Sequence, residues 1–127
     1  MRPSFFALSA AAIVVLAGAS AGLAQTSPPG DAVAGAAIFD DRCAICHAGP
    51  TGGQGPNLDN VLGRRAASIA SFSYTPALTA SGLTWTAATL NNFLTDPGKA
   101  VPGTAMIIRV PDAKERTDLI AYFASRH

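Results

Sequence analysis

The sequence predicts an all-α domain. No stretch alternates polar and apolar residues at period two, as a half-buried strand would. Helix starts are marked instead at Asp31, Thr75-Pro76 and Asp112, and stops at Gly82 and Pro97. The length of 127 residues suits one domain and not two.

The first stretch lies outside that domain. Arg2 is followed by an apolar run through Phe5, Phe6, Leu8 and Ala10–Leu16, and then by small residues up to Ala24. A basic start, an apolar core and a small-residue end make a secretory signal peptide. Ala19 and Ala21 fit the cleavage rule, and so does a cut after Ala24, where we place it. An uncleaved anchor competes, because Phe5–Ala24 reaches the roughly 20 residues that span a bilayer. Either way residues 1–24 export the domain, most simply to a bacterial periplasm. The leader also inflates the hydrophobic fraction of 49%, which therefore does not argue for a membrane domain. Removing it takes away Arg2, so Lys+Arg falls from 9 to 8 against Asp+Glu of 8. A neutral domain is not built to bind nucleic acid or an acidic membrane surface.

Residues 25–30 (QTSPPG) form a polar linker, and the domain covers residues 31–127. Asp31 caps a helix over Ala32–Cys43, with Val33, Ala36, Ala37 and Phe39 on its apolar side. Gly35 and Phe39 are four apart and share a face. A glycine inside a helix costs roughly 1 kcal/mol against alanine, which points to close approach of another backbone there.

The next five residues are Cys43-Ala44-Ile45-Cys46-His47. On a helix the two cysteines share one face, and His47 sits one turn on from Cys43. Two thiols so placed can each add to a porphyrin vinyl group, with the imidazole reaching the iron, so the spacing reads as covalent haem attachment. Other uses of the motif fit less well. A closed zinc site needs four ligands, and the chain offers only Cys43, Cys46, His47 and His127. A thioredoxin-like pair belongs near a βαβ pattern. A disulfide between residues three apart would close almost no loop.

Ala48–Gln54 is a loop rich in Gly, Pro and Thr, followed by Gly55-Pro56-Asn57-Leu58. A short helix spans Pro76–Ser81. Another starts near Thr84 or Thr86 and runs to Thr95, with Leu90, Phe93 and Leu94 as its stripe, and Pro97 ends it. Lys99–Val110 has no clear period and holds Pro102-Gly103-Thr104-Ala105-Met106. Asp112 opens the last helix, with Glu115 placed for a capping box and Leu119, Ile120, Tyr122 and Phe123 as the apolar face. About a hundred residues bury only a thin core, which a large apolar cofactor would complete.

Taken together, these segments resemble the class I cytochromes c, in the branch of mitochondrial cytochrome c and bacterial cytochrome c2. The likeness covers nearly all of Ala32–Arg126. It lies in Gly35 and Phe39 before CAICH, GPNL at 55–58, GR at 63–64, FSYT at 72–75 and GLTW at 82–85. It continues in NNFLTDP at 91–97, PGTAM at 102–106 and DLIAY at 118–122. The resemblance implies a few helices with long loops wrapped around one haem c. Cys43 and Cys46 would carry the thioethers, His47 would be the proximal ligand and Met106 the distal one. Pro56 would offer its carbonyl to the second nitrogen of His47. Arg64, Tyr74 and Trp85 would hydrogen-bond and screen a buried propionate. Gly35 and Phe39 would pack on Leu119 and Tyr122 where the first and last helices cross. Without the resemblance, a lone methionine such as Met106 is more often core filler, and the aromatics read simply as core.

The implied function is single-electron transfer between redox partner proteins, with no enzyme activity of its own. The chain departs from the family pattern at several positions. Its only lysines are Lys99 and Lys114, and Gly98 and Ala105 stand where the family often has lysine, so electrostatic steering is weak. Phe93, Leu78 and Ile108 replace a tyrosine, an asparagine and a phenylalanine of the family, which makes the pocket drier. The loop Ala48–Gln54 is shorter than in the mitochondrial branch. The neutral surface also suits a dedicated cytochrome subunit of a larger periplasmic dehydrogenase. A haem enzyme or gas sensor with a labile Met106 is a third reading, and it requires high-spin ferric haem and ready binding of small ligands.

Overall fold

Asp31 opens the first helix as its composition requires. Its carboxylate accepts the N–H groups of Val33 and Ala34, two of the donors that a helix start leaves unpaired. The computed structural model describes residues 29–50 and 52–126, so the leader and most of the linker lie outside the described residues. Among these are six helices and no strand, with one isolated bridge between Arg65 and Thr84. The helices are α1 (Ala32–Arg42), α2 (Ala44–His47), α3 (Pro76–Ala80), α4 (Ala87–Thr95), α5 (Pro97–Ala100) and α6 (Ala113–Ala124). None of them is long and apolar enough to cross a membrane.

α1 and α6 pack face to face, and Gly35 makes that possible. A Cβ on Gly35 would lie 2.1 Å from the Asp118 carbonyl oxygen, so only glycine lets the backbones approach this closely. Phe39 fills the next turn, with its ring centroid 5.4 Å from that of Tyr122 and 6.1 Å from that of Phe123. Gly35 and Phe39 are the buried positions of α1. Val33 is 80% exposed and does not join them, because it points away from the α6 contact. Asp118 is buried in this crossing and accepts the Asp31 N–H at 2.9 Å and Lys114 Nζ at 2.7 Å. The Asp31 bond first, and then Lys114, hold its carboxyl below its usual pKa.

The last helix begins on a half-made capping box. Asp112 accepts the Glu115 N–H at 2.8 Å, but the Glu115 carboxylate turns to Arg42 instead. Its two oxygens take Arg42 Nη1 and Nη2 at 2.8 and 2.7 Å, a bidentate pair between α6 and α1. A charged fork outcompetes the single main-chain donor.

Thr75 caps α3 ahead of Pro76, and Gly82 follows at φ 65 in the left-handed region. Thr86 and Thr89 cap α4 reciprocally, with threonine in the place usually held by glutamate. Pro97 ends α4 and also begins α5. Asp96 receives the end of one helix and caps the next through Lys99 N–H. Segment 101–111 carries no helix, yet it is fixed. Val110 N–H donates to Leu94, and Arg116 reaches Asn91 and the carbonyls of Val110 and Pro111. Leu90, Phe93 and Leu94 of α4 and Leu119, Ile120 and Phe123 of α6 share one apolar cluster with Phe39, Cys43, Val61, Trp85, Val101 and Val110.

Candidate haem site

The site starts where α1 breaks. Cys43 ends α1, and α2 carries Ala44, Ile45, Cys46 and His47 onward in a single turn. Cys43 is buried in the core cluster, Cys46 is half-buried, and both thiols are free. Burial pushes the Cys43 thiol up in pKa, more than the neighbouring Arg42 charge pulls it down. Ile45, between them, is 88% exposed. The Cys46 carbonyl accepts N–H groups from both Gly53 and Gly55 at 3.0 Å, so the short loop folds back over the motif.

His47 is fixed by that loop. Its Nδ1 lies 2.7 Å from the Pro56 carbonyl oxygen, which orients the ring and sets the tautomer with Nδ1–H. Burial lowers the ring's pKa, against the opposing effect of the Pro56 bond, and a neutral imidazole with a free Nε2 lone pair is favoured. Gly55 makes room for it. A Cβ on Gly55 would stand 2.4 Å from Cε1 of His47, inside the ring's own van der Waals surface. GPNL in the sequence contained this residue, but its steric role needed the structure.

Arg64 and Trp85 are joined through the main chain, and Tyr74 lies near enough to Arg64 to act on its charge. Trp85 N–H donates to the Arg64 carbonyl at 2.9 Å, and Gly63 N–H donates to that of Trp85 at 2.9 Å. Trp85 is buried against Phe93, with ring centroids 5.0 Å apart. Tyr74 stacks edge-on with Phe72 at 4.9 Å. Burial lowers the Arg64 pKa, while the nearby Tyr74 and Asp59 raise it. Two of the five Arg64 N–H groups are held by the carbonyls of Asp59 and Asn57, at 2.8 and 2.9 Å. Met106 is half-buried and packs on the core cluster that holds Cys43 and Trp85. The turn before it is tight, since a Cβ on Gly103 would touch Ala77 of α3 at 3.0 Å.

Sequence reasoning missed three side chains beside His47. Asn57 donates to the Gly49 carbonyl at 2.7 Å and to Asp59, whose own N–H returns to Asn57 Oδ1 at 2.7 Å. Arg126 pairs with Asp59. Asn57 stood inside a quoted motif, whereas nothing local marked Asp59 or Arg126.

These residues fit a covalently bound haem. The donors are two free thiols three residues apart, one imidazole whose Nδ1 is held by Pro56 and whose Nε2 has no hydrogen-bond partner among the described residues, and one thioether. Leu58, Leu62, Leu78 and Leu83 are only partly buried although they pack on the core, so apolar surface remains for a large apolar group to cover. No three His, Cys, Asp or Glu side chains among the described residues converge as a cage for a bare ion.

Comparisons with known proteins agree. Residues 30–123 match a family model described as cytochrome c oxidase, cbb3-type, subunit III. Cytochrome c2 of Rhodomicrobium vannielii is 43% identical over 102 residues, covering 77% of this chain and 81% of that one. Cytochrome c of Gossypium barbadense is 40% identical over 102 residues, covering 77% and 92%. Among solved structures, cytochrome cH from Methylobacterium extorquens superposes with a TM-score of 0.72 at 41% identity, over 76% of this chain and 99% of that one. The chain belongs to the class I c-type cytochromes, all-α electron-transport proteins with a covalently bound c-type haem and its iron.

Proposed function

We propose that this protein is an exported mono-haem carrier, passing single electrons between redox partner proteins through a His47/Met106-ligated haem. The observation that supports it most is the 2.7 Å contact from His47 Nδ1 to the Pro56 carbonyl, beside two free thiols. A ring that donates through Nδ1 keeps its Nε2 lone pair for iron, and the carbonyl raises its basicity. When bound, the haem supplies a one-electron couple, whose potential a methionine ligand raises. Cys43 and Cys46 would hold the haem through thioethers and so prevent its loss. Met106 offers a soft donor from a segment held by the Gly103 turn. Arg64, Tyr74 and Trp85 would screen a haem propionate with donors and aromatic bulk. Phe93, Leu78 and the surrounding leucines exclude water, which penalises the more charged oxidation state. With His47 and Met106 both assigned to iron, no base or nucleophile is set aside for a substrate, and the reading is of a carrier and not an enzyme. The leader of residues 1–24 supports export to the periplasm.

The test is the ferric absorption spectrum of the exported holoprotein. A methionine-to-iron charge-transfer band is expected in the wild type and is lost in Met106→Ala. A wild type without that band overturns the ligand pair.

A dedicated subunit of a larger complex is the second reading, favoured by apolar surface beside Met106. Ile107 is 83% exposed and Ile108 41%, and the chain has only two lysines, Lys99 and Lys114. A face of this kind is held by burial rather than steering. Co-purification that survives high salt supports the subunit, whereas salt-sensitive turnover with several partners supports the free carrier.

A further inference from the structure

The chain just beyond α6 is fastened to the loop that orients His47. Arg126 lies over the rings of Phe39 and Tyr122, its guanidinium carbon 5.7 and 5.2 Å from their centroids. From there it donates to the Tyr122 hydroxyl and to Asp59 Oδ1. The main chain makes a second link, from Asn60 N–H to the Arg126 carbonyl at 3.3 Å. Asp59 is the hub. Its Oδ2 accepts Asn57 Nδ2 at 3.2 Å, and its N–H donates to Asn57 Oδ1 at 2.7 Å. Asn57 follows Pro56, whose carbonyl holds His47. Arg126, Asp59 and His47 also line one cleft of about 430 Å³, together with Phe39, Leu58 and Tyr122.

We propose that Arg126, acting through Asp59 and Asn57, is a positioning residue for His47: it holds the Pro56 carbonyl against the imidazole and so sets the reduction potential. The inference rests on His47 being an iron ligand. The direction follows from ligand chemistry. A firm Nδ1–H bond makes the imidazole a stronger donor and stabilises ferric iron, so loosening the brace raises the potential. Charge must be controlled, because removing Arg126 alone would by itself favour the ferric state. The paired change Arg126→Gln with Asp59→Asn removes one charge of each sign and leaves the net charge unaltered.

The experiment uses the full-length holoprotein and reads two quantities. One is the solvent exchange rate of the His47 Nδ1 proton by NMR of the ferrous form, and the other is the midpoint potential. In the double variant the proton should exchange roughly tenfold faster or more, with the potential shifted upward. Arg126→Lys keeps the charge but loses the fork, so it should show the same faster exchange. Both residues are partly solvent-exposed, with side-chain exposures of 35% and 47%, so these variants are expected to fold. Exchange and potential that stay at wild-type values in the double variant overturn the proposal. A wild type whose ferrous spectrum lacks the strongly shifted ring protons of an iron-bound His47 overturns the ligand assignment, and the proposal with it. A normal wild type with unmoved variants overturns the positioning role alone.

Discussion

A single missing Cβ decides whether His47 sits where it does. At 2.4 Å from Cε1, the added carbon of Gly55→Ala would drive the ring away from the Pro56 carbonyl or push the loop outward. Overpacking of this kind costs about 1–3 kcal/mol. We therefore expect Gly55→Ala to lower holoprotein stability by about 2 kcal/mol in denaturant titration. We also expect it to shift the absorption maximum of the oxidised protein. Wild-type stability and spectrum would show that the loop yields freely at this point. Burial acts in the same direction as the geometry, since it keeps the His47 ring neutral and able to bind a metal. The neighbouring thiol of Cys43 is likewise kept protonated by the core around it.

Among the elements, the α1–α6 crossing carries the most weight. Gly35 permits it, Phe39 and Tyr122 fill it, and two polar clamps fix its ends. One clamp is the Arg42–Glu115 fork, and the other is Asp118 on the Asp31 N–H. On an exposed helix, Gly→Ala would stabilise by about 1 kcal/mol. At Gly35 the sign reverses, because the new methyl would meet the Asp118 carbonyl oxygen at 2.1 Å. We expect Gly35→Ala to destabilise by about 2–3 kcal/mol, measured by urea midpoint at unchanged slope. A stabilised variant would mean that the helices separate at little cost. The starts at Asp31, Thr75 and Asp112 were legible, and that of α4 was narrowed to Thr84 or Thr86, because a cap is a local event. Asp31, Thr75, Thr86 and Asp112 each bond main-chain donors within three residues. The partner of Glu115 was not legible, because Arg42 lies 73 residues away and only folding brings it close.

For the molecule as a whole, the core is incomplete without its cofactor. Its buried members include Leu90, Phe93 and Leu94 of α4 and Leu119, Ile120 and Phe123 of α6, while Leu58, Leu62, Leu78, Leu83 and Met106 remain partly exposed on the same cluster. A chain of this size is marginal with so thin a core. We expect the Cys43→Ser/Cys46→Ser chain, expressed without attached haem, to lose most of its far-UV helical signal and its cooperative thermal transition. Native-like circular dichroism in that chain would show that side chains alone complete the fold.

The sequence by itself determined the all-α class, the helix starts at Asp31, Thr75 and Asp112 and the CAICH motif, because each depends on residues within one or two turns of one another. The motif order from GPNL to PGTAM pointed further, to the class I family. Only the tertiary structure decided that Val33 faces solvent, that Glu115 leaves its box for Arg42, that α5 follows Pro97, and that Arg126 pairs with Asp59. The physical reason is range. A capping bond is chosen by chain geometry, but the Asp59–Arg126 pair spans 67 residues and the Asp31–Asp118 bond spans 87. Such partners are selected by packing of whole helices, which no local pattern encodes.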